Sequence, residues 1–193
     1  MLLLPNYARV IRSLAPGQYP ITTLLPGLSR SLPLRQIAPQ AEVRRQLVKN
    51  AKVLIYGQRG YCFVDVEERR IVVSQHYYET GNDLDLYLDL LHELTHLRQI
   101  DEGFDLWDER FEYVERPTEV EAYAVAVREG RRLGMSPEEI YEHLKNPWMS
   151  ADDVHRLFES VNSFLSGNPL PNGETAKTGA AFRVWRPWDP PKV

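Results

Sequence analysis

Two hydrophobic periods divide the chain. Between residues 52 and 75, β-branched and aromatic residues gather in three short runs, at 52–56, 61–66 and 70–75. Gly57-Gln58-Arg59-Gly60 and Glu67-Glu68-Arg69 separate them. Short apolar runs bounded by turn residues predict strands, and their spacing predicts a three-stranded antiparallel meander. On either side the period lengthens to that of a helix. One helix is expected over residues 40–50. A long one is capped by Asn82-Asp83 and runs to about Glu102, and another has Pro117 in its first turn. Ser136-Pro137-Glu138-Glu139 and Ser150-Ala151-Asp152-Asp153 each place an acid three residues after a serine, the sign of a capping box at a helix start. The fold class is α+β, a small antiparallel sheet packed beside a helical subdomain.

Prolines set the outer boundaries. Pro5, Pro16, Pro20, Pro26, Pro33 and Pro39 punctuate residues 1–40, which read as an extended arm with one short helix over residues 7–14. Residues 41–165 carry the periodic elements of one domain, and residues 166–193 form a Pro-rich tail. In that tail Arg183, Trp185, Arg186 and Trp188 are available to a partner.

Charge sharpens the division. Met1 to Ala41 holds arginines and no acid, whereas Asp83 to Glu121 holds thirteen acids against Arg98, Arg110 and Arg116. An acidic middle favours basic substrates through long-range attraction, and the basic arm is positioned by charge to lie over the acidic cleft. No basic cluster recommends nucleic acid, and no apolar run reaches the roughly 18 residues that cross a membrane. Cys62 is the single cysteine, so an intrachain disulfide is impossible and a reducing, cytoplasmic setting is expected. In Tyr-Cys-Phe-Val it reads as a small strand residue.

The long helix contains His92-Glu93-Leu94-Thr95-His96. Residues four apart share a helix face, so both imidazoles reach one ion while Glu93 is offset towards a water on it. At about 100° per residue, Leu84, Leu86, Tyr87, Leu88, Leu90, Leu91, Leu94 and Leu97 fill a broad apolar arc. Asp85, Asp89, His92, His96 and Gln99 occupy the remainder. Histidines satisfied within a leucine core would lie among the leucines, and these do not.

A catalytic zinc takes three protein ligands and keeps a fourth position open. A histidine ligand six residues after His96 is absent, since Glu102 stands there and Gln99 replaces the glycine that such sites carry. The helix begun by Pro117 offers Glu119 and Glu121. Glu119 shares its face with Ala122, Tyr123, Ala126, Gly130 and Leu133, where a carboxylate is costly unless paired or bound to metal. Glu121 points about 200° away, between Arg128 and Arg132, where solvent accounts for it. Glu119 is the expected third ligand, the bland reading being a pair with Arg116. The small residues at 122, 126 and 130 let this helix approach the histidine helix closely.

At these two segments the chain resembles the gluzincin superfamily, in which H-E-x-x-H is followed on a later helix by a glutamate ligand. The strings His92-Glu-Leu-Thr-His-Leu-Arg-Gln and Pro117-x-Glu-x-Glu-Ala-Tyr are similar to small, poorly characterised metallopeptidase-like domains that pair H-E-x-x-H-x-x-Q with P-x-E-x-E-A. The resemblance covers roughly residues 70–133. It implies a zincin-like fold with Zn2+ held by His92, His96 and Glu119. It also implies a metallopeptidase hydrolysing peptide bonds through a metal-bound water activated by Glu93. Tyr123 departs from the pattern, standing where many gluzincins carry an acid or amide that orients a ligand histidine. Asp89 or Asp101 is expected to take over that role. His76, Tyr77, Tyr78, Tyr113 and Tyr123 are candidate oxyanion donors, and the strand at 70–75 is a candidate edge for an extended peptide. The rival reading is a zinc-binding regulatory or protein-interaction domain of the same fold without proteolytic turnover.

Overall fold

Ile71, Val72 and Val73 are buried in succession, on both faces of their strand. Continuous burial of this kind belongs to the centre of a sheet rather than its edge. The computed structural model, which describes residues 4–57 and 60–168, places them accordingly. Its sheet comprises β1 (Gly17–Pro20), β2 (Lys52–Tyr56), β3 (Cys62–Asp65) and β4 (Arg70–Ser74), in the order β1-β2-β4-β3. The register pairs Tyr19 with Val53, Val53 with Ile71, and Ile71 with Val64.

The expected antiparallel meander is therefore corrected. β2 and β4 are parallel neighbours, and β3 lies outside β4, antiparallel to it. Ser74 at the end of β4 anchors the start of β3, its hydroxyl donating to Gly60 O at 2.6 Å and its N–H to Tyr61 O at 2.9 Å. With β4 central, an edge role for residues 70–75 is excluded. The edges among the described residues are β1 and β3.

The expected extended arm is also corrected. α1 (Ile21–Leu24) and α2 (Leu32–Ile37) follow β1, and Ile21, Leu24, Leu25 and Leu28 are wholly buried in the same core as the leucines of the long helix. The prolines initiate structure here rather than prevent it. Pro20 precedes α1 and Pro33 lies in the first turn of α2, where its fixed φ suits the helix. The helix expected over residues 7–14 is only a 3-10 turn at Asn6–Ala8. That turn packs so closely on Gly27 that a Cβ there would run into Tyr7.

α3 (Ala41–Asn50) leads into β2, and α4 (Gln75–Thr80) leaves β4, capped by the Ser74 hydroxyl. α5 (Asp83–Asp101) starts where the side chain of Asn82 accepts from the N–H groups of Leu84 and Asp85. α6 (Pro117–Arg132), α7 (Pro137–His143) and α8 (Ala151–Leu165) follow, and the last two have the capping boxes expected at Ser136 and Ser150. α5 packs on β3, β4, α2 and α6. α6 in turn separates two cores, with Val125 and Ala126 facing the α5 side and Val120, Tyr123, Ala124 and Val127 facing α7 and α8. Close approach requires a glycine at position 130. A Cβ there would lie 2.7 Å from Met135 Sδ, 2.9 Å from Ile140 Cδ1 and 3.4 Å from Leu88 Cδ1.

The result is a mixed α+β fold. No helix among the described residues is long and apolar enough to cross a membrane. Arg183, Trp185, Arg186 and Trp188, with the tail from residue 169 onward, lie outside the described residues.

Candidate metal centre

The polar arc of α5 is as thoroughly buried as its leucine arc. His92, Glu93, His96 and Gln99 are enclosed because α6 covers them, and Glu119 arrives from the first turn of α6, itself buried. His92 Nε2 and His96 Nε2 are 2.9 Å apart, and Glu119 Oε2 lies 3.4 Å from the first and 3.5 Å from the second. A tetrahedral ion with bonds of about 2.0–2.1 Å separates its ligands by about 3.3 Å, so this triangle has the size such an ion requires. Glu119 Oε2 has no hydrogen-bond partner of proper geometry although it is buried, which is costly for a carboxylate oxygen unless a cation is near. His92, His96 and Glu119 thus form a buried group that can hold a metal ion.

The electrostatics of the three donors interlock. Two imidazole lone pairs cannot face one another at 2.9 Å without a proton or a cation between them. Burial works against a charge on His96, but Glu119, then Glu93 and the hydrogen bond to Gln99, outweigh it and push its pKa up to about 9. Burial and the neighbouring His96 push His92 down to about 4 in spite of Glu119. Burial alone would raise Glu119, yet the charge of His96 and the nearness of both imidazoles hold it well below the usual carboxylate range. The pocket is built to favour positive charge at the point where the three donors converge.

Glu93 lies beside the triangle. Burial, together with the charges of Glu119 and Asp89, raises its pKa to about 8, against the opposing pull of His96 and of the Val64 N–H on β3. Glu121, assigned to a solvated face, instead reaches across to α5. Its carboxylate accepts from Arg98 Nη2 at 2.6 Å and from Gln99 Nε2 at 2.8 Å. The wheel gave the direction of its Cβ but not the reach of its side chain. Arg116 does not pair with Glu119, its guanidinium lying over the rings of Trp107 and Tyr113.

Neither aspartate expected to orient a ligand histidine does so. Asp101 pairs with Arg69, and Asp89 accepts from the Tyr77 hydroxyl and faces His143. The partner of His96 is Gln99, one turn along the same helix, whose Oε1 accepts from Nδ1 at 2.7 Å. Gln99 stood in plain view on the polar arc and in the H-x-x-Q string. His143 and Asn146, by contrast, come from beyond α6 with no sequence signal.

Of the five oxyanion candidates, two are at the site. The Tyr123 ring meets His92 edge-on, with 4.3 Å between centroids. Its hydroxyl is 2.9 Å from that of Tyr113 and accepts from Asn146 Nδ2 at 2.9 Å. Tyr77 is engaged by Asp89, Tyr78 bonds Ile11 and Leu14 in the N-terminal segment, and His76 is exposed. Cys62 is partly buried on β3, and burial followed by the charges of Glu93 and Asp89 pushes its thiol well up, which keeps it protonated. Arg12 of the N-terminal segment pairs with Asp83 at the start of α5 and donates to Gly81 O at 2.7 Å.

No protein-family model matches this chain, and neither the curated proteins nor the solved structures contain a significant match.

Proposed function

We propose that the chain is a zinc-dependent metallopeptidase of the gluzincin kind, with a zincin-like fold, His92, His96 and Glu119 as ligands and Glu93 as catalytic base. The observation that carries this reading is Glu93. A purely structural site has no use for a fourth buried ionisable group, yet here a carboxylate with an elevated pKa sits against the ligand triangle. Zinc, when bound, supplies Lewis-acid chemistry, lowering the pKa of water and polarising a carbonyl.

The remaining work falls to the chain itself. Glu93 accepts a proton from the attacking water and returns it to the leaving amine, and nearby positive charge draws its pKa downward as His96 already does. β3 is an edge strand packed on α5, so an extended peptide that pairs with it runs past Glu93. The Tyr123 ring packs on His92 and its hydroxyl is bonded to that of Tyr113, so these two tyrosines are the hydroxyl donors available beside the triangle. Acids around the cleft favour basic peptide substrates.

Glu93→Gln tests the reading. It is expected to abolish hydrolysis of a mixed peptide library while leaving zinc content unchanged. Hydrolysis that survives in this variant contradicts the assignment of Glu93, and its absence from the wild-type protein loaded with zinc favours a binding role.

A further inference from the structure

Resting on the reading of His92, His96 and Glu119 as metal ligands, we infer that Gln99, anchored by Glu121, is a positioning residue that fixes the tautomer of His96 and the start of the helix that carries Glu119.

Gln99 is fully buried on α5. Its side-chain amide has four hydrogen-bonding partners' worth of capacity, and three contacts are made. Nε2 donates to Thr118 O at 3.0 Å and to Glu121 Oε2 at 2.8 Å, which uses both of its hydrogens on acceptors. Reversing the amide would set an oxygen against two other oxygens, so only one orientation satisfies the network. Oε1 therefore faces His96 Nδ1, at 2.7 Å, and can only accept. His96 must carry a hydrogen on Nδ1, and in the neutral ring the lone pair is then on Nε2, the atom directed at His92 and Glu119.

Glu121 makes this choice firm. Its carboxylate is held by Arg98 Nη2 at 2.6 Å, so an ionised acceptor stands behind the amide and polarises it towards His96. The chain of contacts runs Arg98, Glu121, Gln99, His96. The bond to Thr118 O adds a second function. Thr118 precedes Glu119, so one buried side chain on α5 ties down both a ligand on its own helix and the turn that presents the ligand from α6. His92 has no comparable support, since its Nδ1 lacks a hydrogen-bond partner.

The experiment measures zinc affinity of the full-length protein by competition with a chromophoric chelator, for wild type, Gln99→Leu, Glu121→Ala and His96→Ala. In parallel, nitrogen-15 NMR of the imidazoles follows the His96 Nδ1–H resonance. Wild type is expected to bind one zinc and His96→Ala none. Gln99→Leu is expected to keep one zinc with affinity lower by about 10–100-fold and to lose the slowly exchanging Nδ1–H signal. Glu121→Ala, which removes a partly exposed side chain and leaves Arg98 its pair with Glu102, is expected to weaken binding in the same direction by about tenfold or less and to shift that signal. If wild type binds zinc, His96→Ala does not, and Gln99→Leu matches wild type in both affinity and signal, the positioning role is overturned and the ligand set stands; a Glu121→Ala variant that matches wild type overturns the anchoring by Glu121. If wild type binds no zinc, the ligand reading itself fails.

Discussion

His92 and Tyr123 are held together by shape: the rings meet at 4.3 Å between centroids and 63° between planes, while His92 Nδ1 has no hydrogen-bond partner. Packing against α6 thus orients this ring, without the hydrogen bond by which Gln99 sets the tautomer of His96. Tyr123 also belongs to the core that α6 shares with α7 and α8. Tyr123→Ala is expected to destabilise the fold by about 3–5 kcal/mol, the range for deleting a buried aromatic ring, and to lower zinc affinity. Tyr123→Phe keeps the ring and is expected to retain that affinity. Urea unfolding and metal competition on both variants check this, and equal stability of wild type and Tyr123→Ala would contradict it.

A second histidine is placed by carboxylates. The side chain of His143, at the end of α7, is 4% exposed, with Nδ1 at 3.1 Å from Asp85 and Nε2 at 3.7 Å from Asp89, both on α5. The Tyr77 hydroxyl of α4 donates to Asp89, and the charge of His143 is felt at His92. Burial works against the imidazolium, but the Asp85 hydrogen bond and the charges of Asp89 and Asp85 outweigh it, so the pKa of His143 is raised. A raised pKa means that the folded state binds the proton more tightly. The contribution is fully present below the unfolded value of about 6.5 and fades as pH climbs through the folded one. His143→Ala is expected to cost about 1.5–3 kcal/mol near pH 6 and less as the solution becomes alkaline. Denaturation across a pH series tests the sign, and a difference that grows with pH would refute it.

Removal of residues 1–40 is expected to unfold the protein rather than uncover its cleft. The deletion takes away β1 and the buried Ile21, Leu24, Leu25 and Leu28, each worth about 1.5–3 kcal/mol of burial. That sum, about 6–12 kcal/mol, is as large as the whole net stability of an ordinary domain, about 5–15 kcal/mol. Circular dichroism and size-exclusion chromatography of the truncated chain decide the point. A folded, monomeric product would show that the segment is an appendage after all.

Local signals were legible wherever the physics is local. The caps at Asn82, Ser136 and Ser150 announce their helices because a side chain there completes hydrogen bonds within three residues. The helical spacing of His92 and His96 and the apolar setting of Glu119 likewise brought the three donors together on paper. What was lost depended on distant partners. The unbroken Ile71-Val72-Val73 run did carry the mark of a central strand, but the short connections between the three runs pointed to hairpins and so to a meander. Composition made the proline-rich N-terminus look extended, because it does not reveal that its leucines have a core to enter. Glu121 was misplaced since a helical wheel holds no information about Arg98 on another helix.

Metal content tests the central claim most directly. Elemental analysis of untagged protein, after reconstitution with zinc and removal of excess, is expected to give about one zinc per chain. His96→Ala and Glu119→Ala are each expected to reduce that content to background while circular dichroism remains unchanged. Background zinc in the reconstituted wild type, or full occupancy in either variant, would contradict the assignment of His92, His96 and Glu119 as a metal centre.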